Sequence, residues 1–169
     1  MEDFILRGKV VAVLGDNIDT DIIYPGRYLN ITDKKETAEH AFELAYPEIK
    51  RKMNPGDFIV AAKNFGCGSS REQATAALKY SGFGGVIASS FARIFFRNSL
   101  NLGLPLISSQ DAYKMIKEGD ELEIDLLKGI INDKTSNTQI VASPLDEKAV
   151  LYLKEGGLIP YLRKKYSKK

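Results

Sequence analysis

Residues 64–74, NFGCGSSREQA, bring two hydroxyls, a guanidinium and the chain's only cysteine together beside two glycines, just ahead of a helical pattern. A strand that ends in a glycine-rich turn and opens a helix collects backbone N–H groups and the positive end of the helix dipole at one point. Gly66 and Gly68 permit positive φ or close approach to a ligand. Arg71 offers a planar two-pronged donor suited to a carboxylate or phosphate. The chemistry implied is an anion cradle. Ser69, a hydroxyl at a helix N-terminus beside Arg71, lies where an alkoxide is least unfavourable. It is therefore the candidate base for a C–H acidified by a neighbouring carboxylate.

The same residues support plainer roles. Ser69 or Ser70 caps the helix in one of them, with Glu72 or Gln73 completing the capping arrangement. A nucleotide phosphate loop is disfavoured, because its Lys-Ser/Thr ending is missing. Cys67 as a nucleophile needs a base. The single histidine, His40, falls in TAEHAFELA, an amphipathic helical pattern where it reads as a surface or packing residue. Cys67 is thus expected to fill a small space beside the site. A cysteine-dependent enzyme would instead require a depressed thiol pKa there.

The elements that must position this corner follow from the hydrophobic pattern. KVVAVL (9–14) reads as a buried strand, and DFIVAAK (57–63), GVIASS (85–90) and LPLISS (104–109) as three more. SREQATAALKYSG (70–82) and FARIFFRNSLNLG (91–103) read as helices stopped by glycine. The βαβαβ rhythm over 57–109 predicts parallel strands with right-handed crossovers, and ligands in such sheets lie at the carboxyl ends of the strands. Residues 17–36 show no steady period, so they predict a long loop, with residues 22–36 mobile and closing over substrate. TAEHAFELA (37–45) predicts a short helix. DELEIDLLKGIINDK predicts a hairpin turning near Lys128-Gly129, and the chain closes as helix, glycine break and helix. The fold class predicted is α/β: one domain over residues 1–169, with a mostly parallel sheet, crossover helices and an antiparallel hairpin.

Composition bounds the partners. The 169 residues are 44% hydrophobic and 27% charged with a formal net charge of +2, an ordinary globular mixture. The basic end RKKYSKK reads as a solvated tail, and no basic stripe with interleaved aromatics points to nucleic acid. No run approaches the roughly 18 apolar residues of a membrane span. The acidic start lacks a signal peptide's charge, so the cytoplasm is the expected compartment. One cysteine excludes an internal disulfide framework, and any iron–sulfur cluster or structural zinc held by this chain alone.

Three segments in order, GDNIDTDIIYPGRYL, NFGCGSSREQA and SFARIFFRNSLNLGLP, resemble the small subunits of 3-isopropylmalate dehydratase, which are similar to the swivelling fourth domain of aconitase. The likeness spans nearly the whole chain. It implies a swivel-type domain in a two-subunit hydro-lyase that isomerises 2-isopropylmalate to 3-isopropylmalate by dehydration and rehydration, a step of leucine biosynthesis. It also implies activity only with a large subunit, which holds a 4Fe–4S cluster on three cysteines as Lewis acid, while this chain binds no metal or cofactor. Family roles carried onto matching positions make Ser69 the base, Ser70 and Arg71 ligands of a substrate carboxylate, and Asp21 the residue that orients the arginine or serine. The residue after PGRYL is implied to meet the substrate's variable arm. Here it is Asn30, neither an apolar wall nor a countercharge. Homoaconitate and citramalate (2-methylmalate) hydro-lyases are therefore alternatives to isopropylmalate. A non-catalytic anion-binding regulatory module is the alternative of another class, and self-association of the isolated chain stays open.

Overall fold

Alternation along β-branched strands makes a sheet with two buried faces. In β2 (Phe58–Ala61) all four side chains are buried. Ile59 and Ala61 join one core, Phe58 and Val60 the other. The same holds in β3 (Gly85–Ala88), where Val86 and Ile87 part company in the same way. The structure is a computed structural model that describes residues 4–167. The remaining strands are β1 (Ile5–Leu14), β4 (Leu106–Ser108), β5 (Glu121–Asp125), β6 (Ile130–Asp133) and β7 (Thr138–Val141). They form one seven-stranded sheet in the order β4-β3-β2-β1-β5-β6-β7. The pairings from β4 to β1 are parallel, and those from β1 through β7 are antiparallel.

Among the described residues five α-helices precede β4. They are α1 (Thr20–Ile23), α2 (Lys34–Glu39), α3 (Pro47–Lys52), α4 (Glu72–Ser81) and α5 (Arg93–Leu102). Residues from all but α2 join Val11, Ile59 and Val86 in one core, and α2 packs on α4. The other face is covered by α6 (Ala112–Met115), by the antiparallel strands and by α7 (Glu147–Lys154), which α8 (Leu158–Tyr166) follows. The expected parallel unit is present, and β1 extends it by a fourth strand. The expected hairpin turns at Gly129, φ +66, and continues into β7 as a three-stranded meander. That last strand escapes the sequence pattern because only Ile140 of its four residues is buried.

The predicted structureless loop over 17–36 is a correction. It contains α1, a 3-10 turn (Gly26–Tyr28) and the start of α2. Local capping makes these pieces: Asp19 Oδ1 accepts from Ile22 N and Asp33 Oδ1 from Glu36 N, each at 2.8 Å. Ile23 and Tyr24 are fully buried, so this segment contributes to the core. The helix expected over 37–45 is displaced as well. It begins at Lys34 on its Asp33 cap and ends at Glu39, and Phe42 takes φ +57.

The two glycine stops are both left-handed, Gly82 at φ +95 and Gly103 at φ +80. Their surroundings differ. A Cβ on Gly103 would lie 2.5 Å from the Gly156 carbonyl carbon, where α5 meets the α7–α8 junction backbone to backbone. A Cβ on Gly82 meets nothing nearer than 3.7 Å. Gly82→Ala should therefore cost only the conformational penalty of about 1–2 kcal/mol. Gly103→Ala should cost about 3 kcal/mol or more, because backbone has to move as well. Thermal melts measure the difference, each kcal/mol lowering Tm by about 2–4 °C. Equal shifts would show that the helix junction yields.

Candidate active site

The loops that leave β1, β2 and β3 are laced together at the carboxyl ends of the strands. Gly66 N–H donates to Ile18 O at 2.7 Å and Thr20 N–H to Cys67 O at 2.8 Å. Phe65 N–H donates to Ser90 O at 3.1 Å and Ala92 N–H returns to Phe65 O at 2.9 Å. Phe65 is fully buried, edge-on to Phe91 and Phe95 with centroids 6.1 and 5.5 Å away. Gly66, at φ +81, lies so close to Phe95 that a Cβ would fall 2.2 Å from that ring. The lacing opens a cleft of about 200 Å³. Thr20, Ser69, Ser70 and Arg71 line one side, and Arg93, Ile94 and Asn98 of α5 the other.

Neither serine caps α4. The N-cap is Arg71, at φ −83 and ψ 113, and no side chain accepts from the first turn. The capping role read from the sequence is thus corrected: the helix starts too late for Ser69 or Ser70 to serve it. Both serines are exposed. Ser69 Oγ lies 3.3 Å from the hydroxyl of Thr20, a residue only 3% exposed. The Thr20 hydroxyl also reaches Ser69 O at 3.1 Å. Its one proton can serve either acceptor, so Thr20 can donate to Ser69 Oγ when that oxygen carries charge.

Arg71 is held from behind. Its Nη1 donates to Asp21 Oδ1 at 3.0 Å, and the Gly26 N–H donates to the same oxygen at 2.8 Å. The Gly26 bond first, then the Arg71 bond, hold the Asp21 carboxyl below its ordinary value against a smaller opposing effect of burial. Asp21 is 67% exposed in its side chain and Arg71 27%, so the pair orients the guanidinium more than it stabilises the fold. Asp21 does not itself line the cleft; its link to the cleft is the bond from Arg71.

The other sequence candidates fall apart from this group. Burial first, then the Asp19 carboxylate, push the Cys67 thiol up, the opposite of what a reactive cysteine needs. His40 bonds Glu43 at 2.8 Å. Asn30 is exposed on the turn after Tyr28 and is not among the residues lining the cleft. Sequence reasoning missed Thr20, Gly26 and the α5 wall. Thr20 belongs to the Thr-Asp pair, but nothing in that pair's pattern distinguishes it from a packing residue. Arg93, Ile94 and Asn98 lie within the SFARIFFRN segment, flanking the buried Phe95 and Ser99 at helical spacing. Among the described residues no group of three Cys, His, Asp or Glu gathers to hold a metal ion, and no helix is long and apolar enough to cross a membrane.

A parallel sheet with a Ser-Ser-Arg corner at its carboxyl edge defines an aconitase-type domain, and residues 12–111 match the family described as the aconitase C-terminal domain. The chain is 49% identical over 160 residues, 95% of its length and 99% of the relative's, to the 3-isopropylmalate dehydratase small subunit of Caldanaerobacter subterraneus subsp. tengcongensis. It is 47% identical over 161 residues, 95% of each chain, to the isopropylmalate/citramalate isomerase small subunit of Methanocaldococcus jannaschii. The crystal structure of a 3-isopropylmalate dehydratase from the latter organism superposes with a TM-score of 0.87 at 45% identity, covering 96% of this chain and 95% of that one. The chain belongs to the 3-isopropylmalate dehydratase small-subunit family of the aconitase superfamily.

The Asp21 geometry has a direct readout. An NMR titration of its carboxyl should give a midpoint below 3.8. In Arg71→Ala the midpoint should rise yet stay depressed, because the Gly26 bond is the larger cause. Any stability this carboxylate contributes is complete above pH 3.8 and is lost as pH falls through the folded midpoint. A midpoint unmoved by Arg71→Ala would show that the pair does not form in solution.

Proposed function

We propose that this chain is the small subunit of a heteromeric hydro-lyase that isomerises 2-isopropylmalate to 3-isopropylmalate, with the cytoplasm as its compartment. One observation carries the reading. The Ser69 hydroxyl and the Arg71 guanidinium share a cleft wall at the N-terminus of α4, and neither is consumed by capping. Arg71 and Ser70 bind a substrate carboxylate, whose charge the free first turn of α4 also attracts. That carboxylate brings the acidic C–H to Ser69. Ser69, as alkoxide, takes the proton, while Thr20 donates to Ser69 Oγ and keeps its charge tolerable. The hydroxyl lost from the adjacent carbon takes a proton from solvent and leaves as water, giving an alkene diacid. Water then gives its hydroxyl to the carbon that lost its proton and its spare proton to solvent, while Ser69 returns its proton to the carbon that lost the hydroxyl.

A 4Fe–4S cluster on the large subunit is the expected Lewis acid for the departing hydroxyl. Its thiolates have to come from that partner, because Cys67 is the only cysteine of this chain. An open cleft with Ile94 51% exposed on its wall suits a surface that a second subunit completes. A second reading, citramalate as substrate, is favoured by the Methanocaldococcus relative's name and by Asn30.

Reconstitution with a cluster-bearing large subunit is the test. Activity on isopropylmalate supports the enzyme; silence of the reconstituted native complex points to the regulatory module instead. Ser69→Ala should lower kcat about 10³-fold without loss of partner binding. Cys67→Ala should keep most activity. Arg71→Lys should raise KM about tenfold, since lysine cannot present the bidentate fork. A dead Cys67→Ala beside an active Ser69→Ala would invert these roles.

The resemblance makes Asn30 the selector of substrate, although it stands outside the cleft wall of this chain alone. Homoaconitate should be a poorer substrate than isopropylmalate or citramalate, because asparagine supplies no cation for a third carboxylate. Asn30→Arg should shift kcat/KM towards the tricarboxylate and Asn30→Val towards the branched dicarboxylate. A native preference for homoaconitate would remove Asn30 as selector.

A further inference from the structure

His40 enters none of the chemistry above, yet a short series of contacts ties it to the site. Its imidazole stacks on the Tyr28 ring, with centroids 3.7 Å apart and planes at 11°. Its Nδ1 lies 2.8 Å from Glu43 Oε2. Tyr28 ends the 3-10 turn, and its carbonyl accepts the Tyr24 hydroxyl at 2.8 Å. At the other end of that turn the Gly26 N–H meets Asp21 Oδ1, the atom that also accepts from Arg71. Space there is tight: a Cβ on Gly26 would lie 3.1 Å from Arg71 Nη1 and 3.2 Å from Asp21 Oδ1. Only two peptide units separate Gly26 from Tyr28, and the turn is closed by Tyr28 N–H to Pro25 O at 3.1 Å and Leu29 N–H to Gly26 O at 3.3 Å, so a shift at Tyr28 bears on Gly26.

His40 is itself held firmly. It caps the C-terminus of α2, its N–H bonded to Thr37 O and Ala38 O. Two residues on, Phe42 is fully buried at φ +57 and donates its N–H to Ile23 O at 2.8 Å. A buried phenylalanine in the left-handed region costs of order 1 kcal/mol and persists only where its surroundings over-determine it. Burial pushes the Glu43 carboxyl up. Hydrogen bonding from Tyr28 and from His40, then the charges of His40 and Arg27, outweigh that burial and hold the carboxyl below its usual range. The carboxylate thus engages both stacked rings.

We propose that His40 is a positioning residue for Arg71: it clamps Tyr28, fixes the Gly26–Tyr28 turn, and so sets where the Gly26 N–H and the Asp21 carboxylate hold the guanidinium. The proposal rests on reading Arg71 as the ligand of a substrate carboxylate. Two measurements test it together: hydrogen exchange over residues 24–30 in the free chain, and kinetics of the complex reconstituted with a large subunit. His40→Ala should speed that exchange about tenfold. It should also raise KM for isopropylmalate about five- to tenfold while kcat changes less than about twofold. His40→Phe, which keeps a flat ring against Tyr28, should restore both. If His40→Ala does not fold, His40→Leu, which fills the space without a stacking plane, carries the same expectations. Unchanged exchange, or a KM unmoved by His40→Ala while Arg71→Lys raises it, overturns the positioning role and leaves the proposed function standing. A KM unmoved by Arg71→Lys removes the carboxylate reading of Arg71, and this proposal with it.

Discussion

The contact between the Gly66 backbone and the Phe95 ring is the constraint on which the cleft depends. With no side chain at residue 66, the loop after β2 lies flat against α5 while its N–H reaches Ile18 O. That places residues 67–71 over the carboxyl ends of three strands at once. Any Cβ would collide with Phe95, which is 2% exposed and has nowhere to go. The loop would lift, and the bonds linking Thr20 to Cys67 and Ala92 to Phe65 would go with it. The geometry of the corner is a consequence of close packing beneath the loop.

The electrostatics of the corner follow from what is left unmade. Three helices, α1, α2 and α7, have aspartate caps that accept from their first turns. Of the helices that start at the cleft, α1 is so capped, whereas α5, whose Arg93 and Ile94 line it, and α4, which begins just after the lining residue Arg71, have no side-chain cap. Uncapped first turns keep N–H groups and partial positive charge available. Beside Arg71 and Arg93 they make a pocket that favours an anion and lowers the cost of an alkoxide. The only carboxylate shown bonded to this group, that of Asp21, stays outside the cleft wall. It holds Arg71 through Nη1.

Much of this was legible in the sequence. Strands of four consecutive buried residues and helices closed by glycine announce themselves through hydrophobic period and stop signals, so the parallel unit and the 64–71 corner were readable. The segment over 17–36 was not, although its signals exist: Asp19 and Asp33 each lie three residues before the N–H they accept. Such helices have four to six residues, too few to show a 3.6-residue period. Ser69 and Arg71 could be chosen as chemical types. That the serines are free of capping could not, because a Ser-Ser-Arg-Glu run is compatible with a cap at any of three positions. Thr20 illustrates a different limit: its role is a contact with a residue 49 positions away, which no local pattern encodes.

The strand β1 explains why one sheet can hold both an edge that carries the cleft and a plain one. Its first half, Ile5 to Lys9, pairs antiparallel with β5, and its second half, from Val10 to Leu14, pairs parallel with β2. The register shifts between Val10 and Ala12, so the strand changes partners across an irregularity. Its carboxyl end belongs wholly to the parallel half, and every loop that lines the cleft leaves a strand of that half. The antiparallel meander buries Ile124, Ile131 and Ile140 against the opposite face and contributes no residue to the cleft. Burial there supports the parallel strands from behind. Substitutions in the meander should thus act on how much folded protein exists. The division follows from topology: only parallel neighbours bring successive carboxyl ends, and the helix N-termini that follow them, to one side.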